Sequence, residues 1–331
     1  MNVFAPYYYH QFRCLAGACP DSCCQEWDVV VDEESARRYR SADGELADAL
    51  RVCLVTGDGD TILKKSGTRC PMWREDGLCR IQCAWGEDAL CRTCREFPRL
   101  THDYGDFVEY GLELSCPEAA RLILSAQAAP LVRTNASGGE AAEYDADAMA
   151  ALHASRENAL ELIEKLPPYE ALAALLIYGY AVQEQLDGGE EPDFAPEAYL
   201  ETARSLAQAG DMVEILKFYK ELEILTDRWR ERLDTAALQP QRSPLIRPLA
   251  RYFVERYWLQ AVSDYDLVGR VKFCVASCLV IDQLGGDFLQ TAQLYSKEIE
   301  NDADNVEALL DAAYMEPAFA DVKLLGLLTA E

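Results

Sequence analysis

Apolar and polar positions divide the chain into two stretches of different rhythm. In the first, apolar runs are short and broken. Trp27-Asp28-Val29-Val30-Val31-Asp32 is rich in β-formers, and Glu33 to Arg40 reads as helical with Asp32 placed to cap it. Asp58-Gly59 signals a turn, followed by a short strand from Thr61 to Lys65. Phe107 to Leu114 alternates in part and predicts a strand after the Tyr104-Gly105-Asp106 turn, and Pro117-Glu118 opens a helix running to Ala128. From about Asp145 the period changes. Apolar residues recur at three- and four-residue steps, as in Leu216, Tyr219, Leu222 and Leu225. Helices are expected over Glu170–Leu186, Pro196–Ala209, Asp211–Leu233, Pro244–Val262, Asp266–Leu284, Asp287–Glu300, Asn305–Tyr314 and Ala318–Leu328. Between the two stretches, Arg133 to Glu143 contains Asn135, Ser137, Gly138 and Gly139 and reads as a linker. The expected fold class is mainly α. A small, irregular, cysteine-rich domain with short strands (1–130), organised by metal more than by a continuous apolar core, precedes a linker (131–145) and an acidic α-helical bundle (146–331).

Composition narrows the class. Of 331 residues, 50% are hydrophobic and 27% charged, the mix of a soluble globular protein able to bury a core without staples. Apolar stretches such as Ala171 to Val182 fall short of the roughly 20 residues of a spanning helix, so no membrane partner is expected. Met1-Asn2-Val3-Phe4 lacks the basic start and apolar run of a secretory signal, and a cytoplasmic protein is expected. The net charge of −26 opposes binding to a phosphate backbone and fits cationic partners, lysine-bearing proteins among them. Up to residue 125 the net is −7, and beyond it −19. Cysteine is skewed the other way, with 11 of 13 between Cys14 and Cys116.

Those cysteines fall in blocks: Cys14, Cys19, Cys23 and Cys24, then Cys70, Cys79, Cys83, Cys91 and Cys94, then Cys116 alone. Cytosolic thiols are kept reduced, which disfavours a disulfide framework. Soft thiolates select zinc, copper(I) or iron–sulfur clusters, and the count supports zinc sites or cubane clusters alike. The ferredoxin run of three closely spaced cysteines is absent, and Glu26 stands where a radical adenosylmethionine triplet would need its third cysteine. His10 and His102 flank the blocks and are candidates to complete a zinc site; His153 has no partner in sequence. Arg92, Arg95 and Arg99 are placed to neutralise a thiolate centre. No phosphate-binding Gly-Lys loop and no interpretable serine–histidine–carboxylate spacing is present.

Phe12-Arg13-Cys14, Cys19-Pro20-Asp21-Ser22-Cys23-Cys24, Trp27 and Val31-Asp32 resemble the start of the flagellin lysine N-methylase family. Cys70-Pro71-Met72, Gly77-Leu78-Cys79-Arg80-Ile81, Leu90-Cys91-Arg92-Thr93-Cys94-Arg95-Glu96-Phe97-Pro98-Arg99 and Leu112 to Arg121 extend the resemblance over about residues 8–124. The cysteine core is also similar to the broader zinc- or iron-chelating cysteine-cluster proteins. Tyr295-Ser296-Lys297-Glu298-Ile299-Glu300 is compatible but less specific. The resemblance implies methyl transfer from S-adenosylmethionine to the ε-amine of flagellin lysines, and an iron–sulfur cluster, four-iron by expectation, with zinc as the alternative metal. Its ligand candidates are Cys14, Cys19, Cys23, Cys24, Cys70, Cys79, Cys91, Cys94 and Cys116. Cys83 is a bystander because Gln82 precedes it where the family often has histidine followed by lysine, and Cys53, Cys274 and Cys278 are read as structural. The alternative function is a non-catalytic zinc- or iron-binding, or redox-sensing, protein. Methyl transfer calls for a neutral lysine amine and an aromatic wall for the sulfonium, with Tyr7, Tyr8, Tyr9, Trp27, Trp73, Trp85 and Tyr104 as candidates. The nearest match to a glycine-rich cofactor turn, Val52 to Asp60, is weak because no βαβ unit follows.

Overall fold

A computed structural model of the protein describes residues 1–57, 59–136, 141–236 and 239–330. Asp58 of the expected turn, and Ser137, Gly138 and Gly139 of the expected linker, lie outside the described residues.

The first part of the chain runs β1 (Asn2–Ala5), β2 (Val29–Val30), α1 (Glu33–Ser41), α2 (Glu45–Cys53), β3 (Leu54–Gly57) and β4 (Asp60–Leu63). It continues with α3 (Arg80–Trp85), α4 (Arg92–Glu96), β5 (Arg99–Asp103), β6 (Phe107–Leu112), α5 (Pro117–Ser125) and β7 (Val132–Asn135). One sheet has the order β5-β6-β1-β7, with β1 parallel to β6 and antiparallel to β7; the other is β2-β4-β3, antiparallel throughout. Helix α1 begins where the sequence predicts. The Asp32 side chain accepts from the Ser35 amide at 3.0 Å, acidic residues fill the first turn and arginines the last, and Ala36 and Tyr39 face inward. Its other carboxylate oxygen accepts from the Arg92 amide at 2.8 Å, so one side chain holds the starts of α1 and α4 together.

The rest is helical: α6 (Ala146–Lys165), α7 (Pro168–Leu186), α8 (Pro196–Leu206), α9 (Met212–Glu221), α10 (Asp227–Asp234), α11 (Ile246–Tyr257), α12 (Leu267–Leu284), α13 (Phe288–Tyr295), α14 (Ala303–Met315) and α15 (Asp321–Thr329). Helix α12 is central. It packs on α7, α11, α13 and α14, and its residues are buried on all sides, as an apolar sequence without a polar stripe requires.

Two apolar cores result. The larger joins the helical bundle to α5 and to Tyr8, Phe12, Phe107 and Leu112 of the first part. The smaller lies wholly within residues 29–91, around Val29, Tyr39, Leu50, Leu63, Met72 and Ile81, and includes Cys70 and Cys91. Across the larger core, Arg156 of α6 donates two hydrogen bonds of 2.7 Å to the carboxylate of Glu109 on β6.

Several expected elements differ in detail. Asp211–Leu233 is two helices, broken between Glu221 and Asp227 by polar groups from far along the chain. The Glu298 carboxylate accepts from the Leu225 amide and the Thr226 hydroxyl, Asn305 bonds both backbone groups of Glu223, and Thr226 then caps α10. Pro244–Val262 is α11 followed by a 3-10 turn, and Asp287–Glu300 is α13 followed by a π-turn over Ser296–Glu300, closed by the Asn301 amide on the Ser296 carbonyl. The weak glycine-rich candidate, Val52 to Asp60, contains the end of α2 and parts of the antiparallel strands β3 and β4, not a βα turn. The described start of the segment read as a linker supplies β7.

Candidate functional site

Short turns bring the cysteine blocks to one place. A 3-10 turn over Ala16–Ala18 links Cys14 to Cys19, and the Cys70 amide donates to the Cys24 carbonyl at 2.8 Å, joining the first block to the second. Cys79, Cys91 and Cys116 stand at the N-caps of α3, α4 and α5, with Cys94 within α4. A cleft of about 470 Å³ opens among them. It is lined by Cys14, Cys19, Cys23, Cys24, Cys79, Cys94 and Cys116, seven of the nine expected ligand residues. Cys70 and Cys91 lie beneath it, buried in the smaller core. All thirteen cysteines are free thiols. Among the described residues, no three His, Cys, Asp or Glu side chains are set closely enough to hold a metal ion as they stand.

Thiol chemistry in the cleft follows from burial and from thiol-to-thiol hydrogen bonds. The Cys24 thiol is pushed up to about 12, first by its hydrogen bond with Cys23 and then by burial, the bond to Cys70 acting the other way. Cys70 is raised by its bond with Cys24 and by burial. Burial pushes Cys116 up to about 11 and also raises Cys19 and Cys79. Cys91 is held down at about 7 by the hydrogen bond it receives from Cys94, whose own thiol is raised by the same contact. Most of the set is therefore protonated near neutrality, and a bound metal would displace those protons.

Positive charge faces the thiols from Arg13, Arg95, Arg99 and Lys297. Lys297 comes from the π-turn, is 2% exposed, and places its ammonium 3.2 and 3.4 Å from the two oxygens of Asp21 and 4.9 Å from the centre of the Trp27 ring. Asp21 also accepts from Gln293 at 2.9 Å and Arg228 at 3.1 Å. Burial pushes the Asp21 carboxyl up, but Lys297, Gln293 and Arg228 outweigh it and hold it below its usual value.

A second cleft of about 480 Å³ shares Cys23, Trp27, Cys94, Phe97 and Lys297 with the first. Asp28, Glu113, Glu223, Glu298, Glu300 and Asp302 line the remainder, together with Val29, Thr93, Leu225 and Asn301. Trp27 and Phe97 meet edge to face, with centres 6.1 Å apart, at the shared wall. Burial raises the Glu113 and Glu298 carboxyls. Glu300 accepts from Tyr252 and Tyr257 and pairs with Arg256 at 3.1 Å.

Other candidates sit elsewhere. Of the aromatic residues singled out by sequence, Trp27 alone lines the cysteine cleft. Tyr8 is in the larger core, Tyr104 stacks on Phe107, Tyr9 on Tyr110, and Trp85 packs against Tyr39. His10 is exposed, His102 is on β5 beside Tyr252 and Arg256 of α11, and His153 packs on Phe107, so no histidine lines the cleft. Arg95 and Arg99 line it; Arg92 does not. Cys83 is exposed on α3, Cys53 ends α2, and Cys274 and Cys278 are buried in α12. Gln293 and Glu223 escaped sequence reasoning because they belong to the helical stretch; Lys297 lies in the Tyr295–Glu300 stretch, the one signal in that part of the chain.

The arrangement defines a cysteine-cluster protein whose sulfur-lined cleft is completed by a helical bundle. Curated relatives include flagellar biosynthetic protein FliU of Salmonella muenchen, 32% identical over 137 residues, covering 38% of this chain and 78% of the relative. Lysine-N-methylases of Salmonella choleraesuis and Salmonella typhimurium are 32% and 31% identical over 137 residues, covering 38% of this chain. The chain belongs to the flagellin lysine N-methylase family. The match spans about a third of the length of each lysine-N-methylase, 33% in both cases. No protein-family model and no solved structure matches the chain. Among the described residues, no helix is long and apolar enough to cross a membrane.

Proposed function

We propose that this protein is an S-adenosylmethionine-dependent lysine N-methyltransferase acting on flagellin, with an iron–sulfur cluster in the cysteine cleft. Relatives named lysine-N-methylase support the activity, and one named flagellar biosynthetic protein supports a flagellar substrate. The observation that carries the reading is the pair of clefts meeting at Trp27 and Phe97: one is lined with thiols, the other is acidic and suited to a cationic side chain.

The donor set fits a cluster in its chemistry. Seven unbridged thiols surround one cleft, with Cys70 and Cys91 beneath, and Arg13, Arg95, Arg99 and Lys297 offset the charge of thiolates. Zinc takes four thiolates about one point and a cubane takes four at its corners, so this number of thiols suits either, the cluster being the one proposed. When bound, an iron–sulfur cluster supplies redox and Lewis-acid character and ties distant thiolates together.

The acidic cleft would receive the lysine. Carboxylates at Asp28, Glu223 and Asp302 attract the ammonium, and the faces of Trp27 and Phe97 hold cationic groups by cation–π attraction. A free lysine is protonated near neutrality, with a pKa of ~10.4, and must lose a proton before it can attack. Glu113, whose carboxyl burial already holds above its usual value, is suited to accept it. The nitrogen lone pair then forms the N–CH3 bond as the sulfonium S–CH3 bond breaks, leaving S-adenosylhomocysteine.

Mass spectrometry of purified flagellin after anaerobic incubation with the protein and labelled S-adenosylmethionine tests the reading. Label on lysine side chains is the expected result. No label, together with no binding of S-adenosylmethionine by calorimetry, overturns it. Iron and acid-labile sulfide in anaerobically purified protein test the cluster separately; colourless protein with stoichiometric zinc would replace it by a structural metal.

A further inference from the structure

We infer that Lys297 and Gln293 are positioning residues of the cysteine cleft: they form a clamp by which the helical bundle holds the Cys19–Cys24 loop opposite Cys116. The inference rests on the proposed metal-binding role of the cleft, but its first readout needs no metal.

Gln293 and Lys297 are four residues apart, on α13 and on the π-turn that follows it, and both reach Asp21. The Gln293 amide nitrogen donates at once to Asp21, at 2.9 Å, and to the carbonyl of Ser115, at 2.7 Å. Ser115 immediately precedes Cys116, and Asp21 lies between Cys19 and Cys23. One amide group thus spans two cysteine segments nearly a hundred residues apart. Lys297 supplies the charge that makes the Asp21 contact strong, and its ammonium has no water to fall back on at 2% exposure. Within the loop, the Cys19 thiol donates to the Asp21 carbonyl at 3.2 Å, the Cys24 amide to the Ser22 hydroxyl at 3.2 Å, and the Trp27 indole under Lys297 to the Cys23 carbonyl at 3.0 Å. Fixing Asp21 and Trp27 from the bundle therefore fixes where three thiols point. Arg228 is the remaining bundle contact to Asp21, but its side chain is 53% exposed and its pairing correspondingly weak.

The test uses the full chain and the variants Lys297→Met, Lys297→Arg and Gln293→Ala. Amide hydrogen exchange at residues 14–24 is read first, then iron and sulfide per chain and the visible absorption of the anaerobically reconstituted protein. Lys297→Met is expected to speed exchange in residues 14–24 by about tenfold while α7 and α12 exchange as in the parent, and to lower iron retention. Lys297→Arg, which keeps a donor and the charge, is expected to restore most of both. If Lys297→Met fails to fold, Gln293→Ala, which removes an uncharged side chain and leaves the Lys297–Asp21 pair in place, decides the question by the same local exchange. Exchange in residues 14–24 unchanged in a folded Lys297→Met or Gln293→Ala, or acceleration spread evenly over the molecule, overturns the clamp. Absence of bound iron and sulfide in the parent overturns the cluster reading alone, because the exchange result still decides the clamp.

Discussion

Replacing Arg156 by methionine should show how firmly the β6 edge is tied to the helical bundle. The guanidinium gives two 2.7 Å hydrogen bonds to Glu109, and the two side chains are 8% and 7% exposed. Methionine fills similar volume but leaves the carboxylate buried without its partner. Breaking a buried pair from one side costs about 3–5 kcal/mol, a large share of the roughly 5–15 kcal/mol that holds a folded protein together. With a urea slope of about 2–3 kcal/mol/M, the unfolding midpoint should fall by about 1–2 M. The loss should be smaller at pH 5 than at pH 8, because an unpaired buried carboxylate is relieved by taking a proton. Replacing both partners, Glu109→Leu with Arg156→Met, should recover much of the loss, since apolar groups leave no uncompensated charge. Urea unfolding followed by far-UV circular dichroism at the two pH values is the measurement. A shift below about 0.3 M for Arg156→Met at pH 8, or a double variant as weak as the sum of the singles, would refute the account.

Glu255 titrates in the opposite sense to most carboxylates. Burial raises it to about 7, with Arg251 and Arg156 only partly offsetting this, so the folded protein holds its proton more tightly than the unfolded chain. This carboxyl's contribution to stability is full below about pH 4.5 and is lost as pH rises toward 7, by about 3 kcal/mol; Glu255→Gln should melt progressively higher than the parent between pH 5 and 8, and a pH-independent difference would contradict this. Asp32 has the reverse sign: burial pushes it up, but the amides of Arg92 and Ser35 prevail and bring it to about 2, so its contribution is present above about pH 4 and disappears as pH falls toward 2. Asp32→Ala should cost about 1–2 kcal/mol at neutral pH and speed amide exchange at the starts of both α1 and α4; an effect confined to α1 would break the link between them. In the acidic cleft, Glu223→Gln with Asp302→Asn should raise the KM for flagellin severalfold while kcat holds, and added salt should do the same to the parent; salt-independent kinetics would count against electrostatic docking there.

Local signals carried a large part of the fold. Asp32 before an acidic turn marks α1, and Gly188-Gly189 marks the end of α7, because capping and backbone freedom are decided by adjacent residues. Interruptions imposed from a distance were not visible. The break between α9 and α10 is made by Glu298 and Asn305, and within Asp211–Leu233 the capping Thr226 is a weak local mark of it. The pairing of β1 with β6 and β7 is likewise non-local, and its four residues carry too little pattern to stand alone. At the candidate site, thiol spacing singled out cysteines of which the fold brings seven around one cleft. It did not separate the seven that line the cleft from Cys70 and Cys91, which are packed into the smaller core. Lys297 was hidden for a different reason: a lysine in an acidic helical stretch reads as solvated until the π-turn and Asp21 bury it.

Strand β1 sits between β6 and β7, so Asn2 finds its neighbours only at Phe107 and Asn135. While the ribosome works through that interval, at roughly 5–20 residues per second, the opening strand has no sheet to join. The thiols of the first two blocks emerge during the same period, on the order of ten seconds, before β6 and β7 are both made. Assembly order thus leaves the first two cysteine blocks in open solution before β1 is paired on both sides.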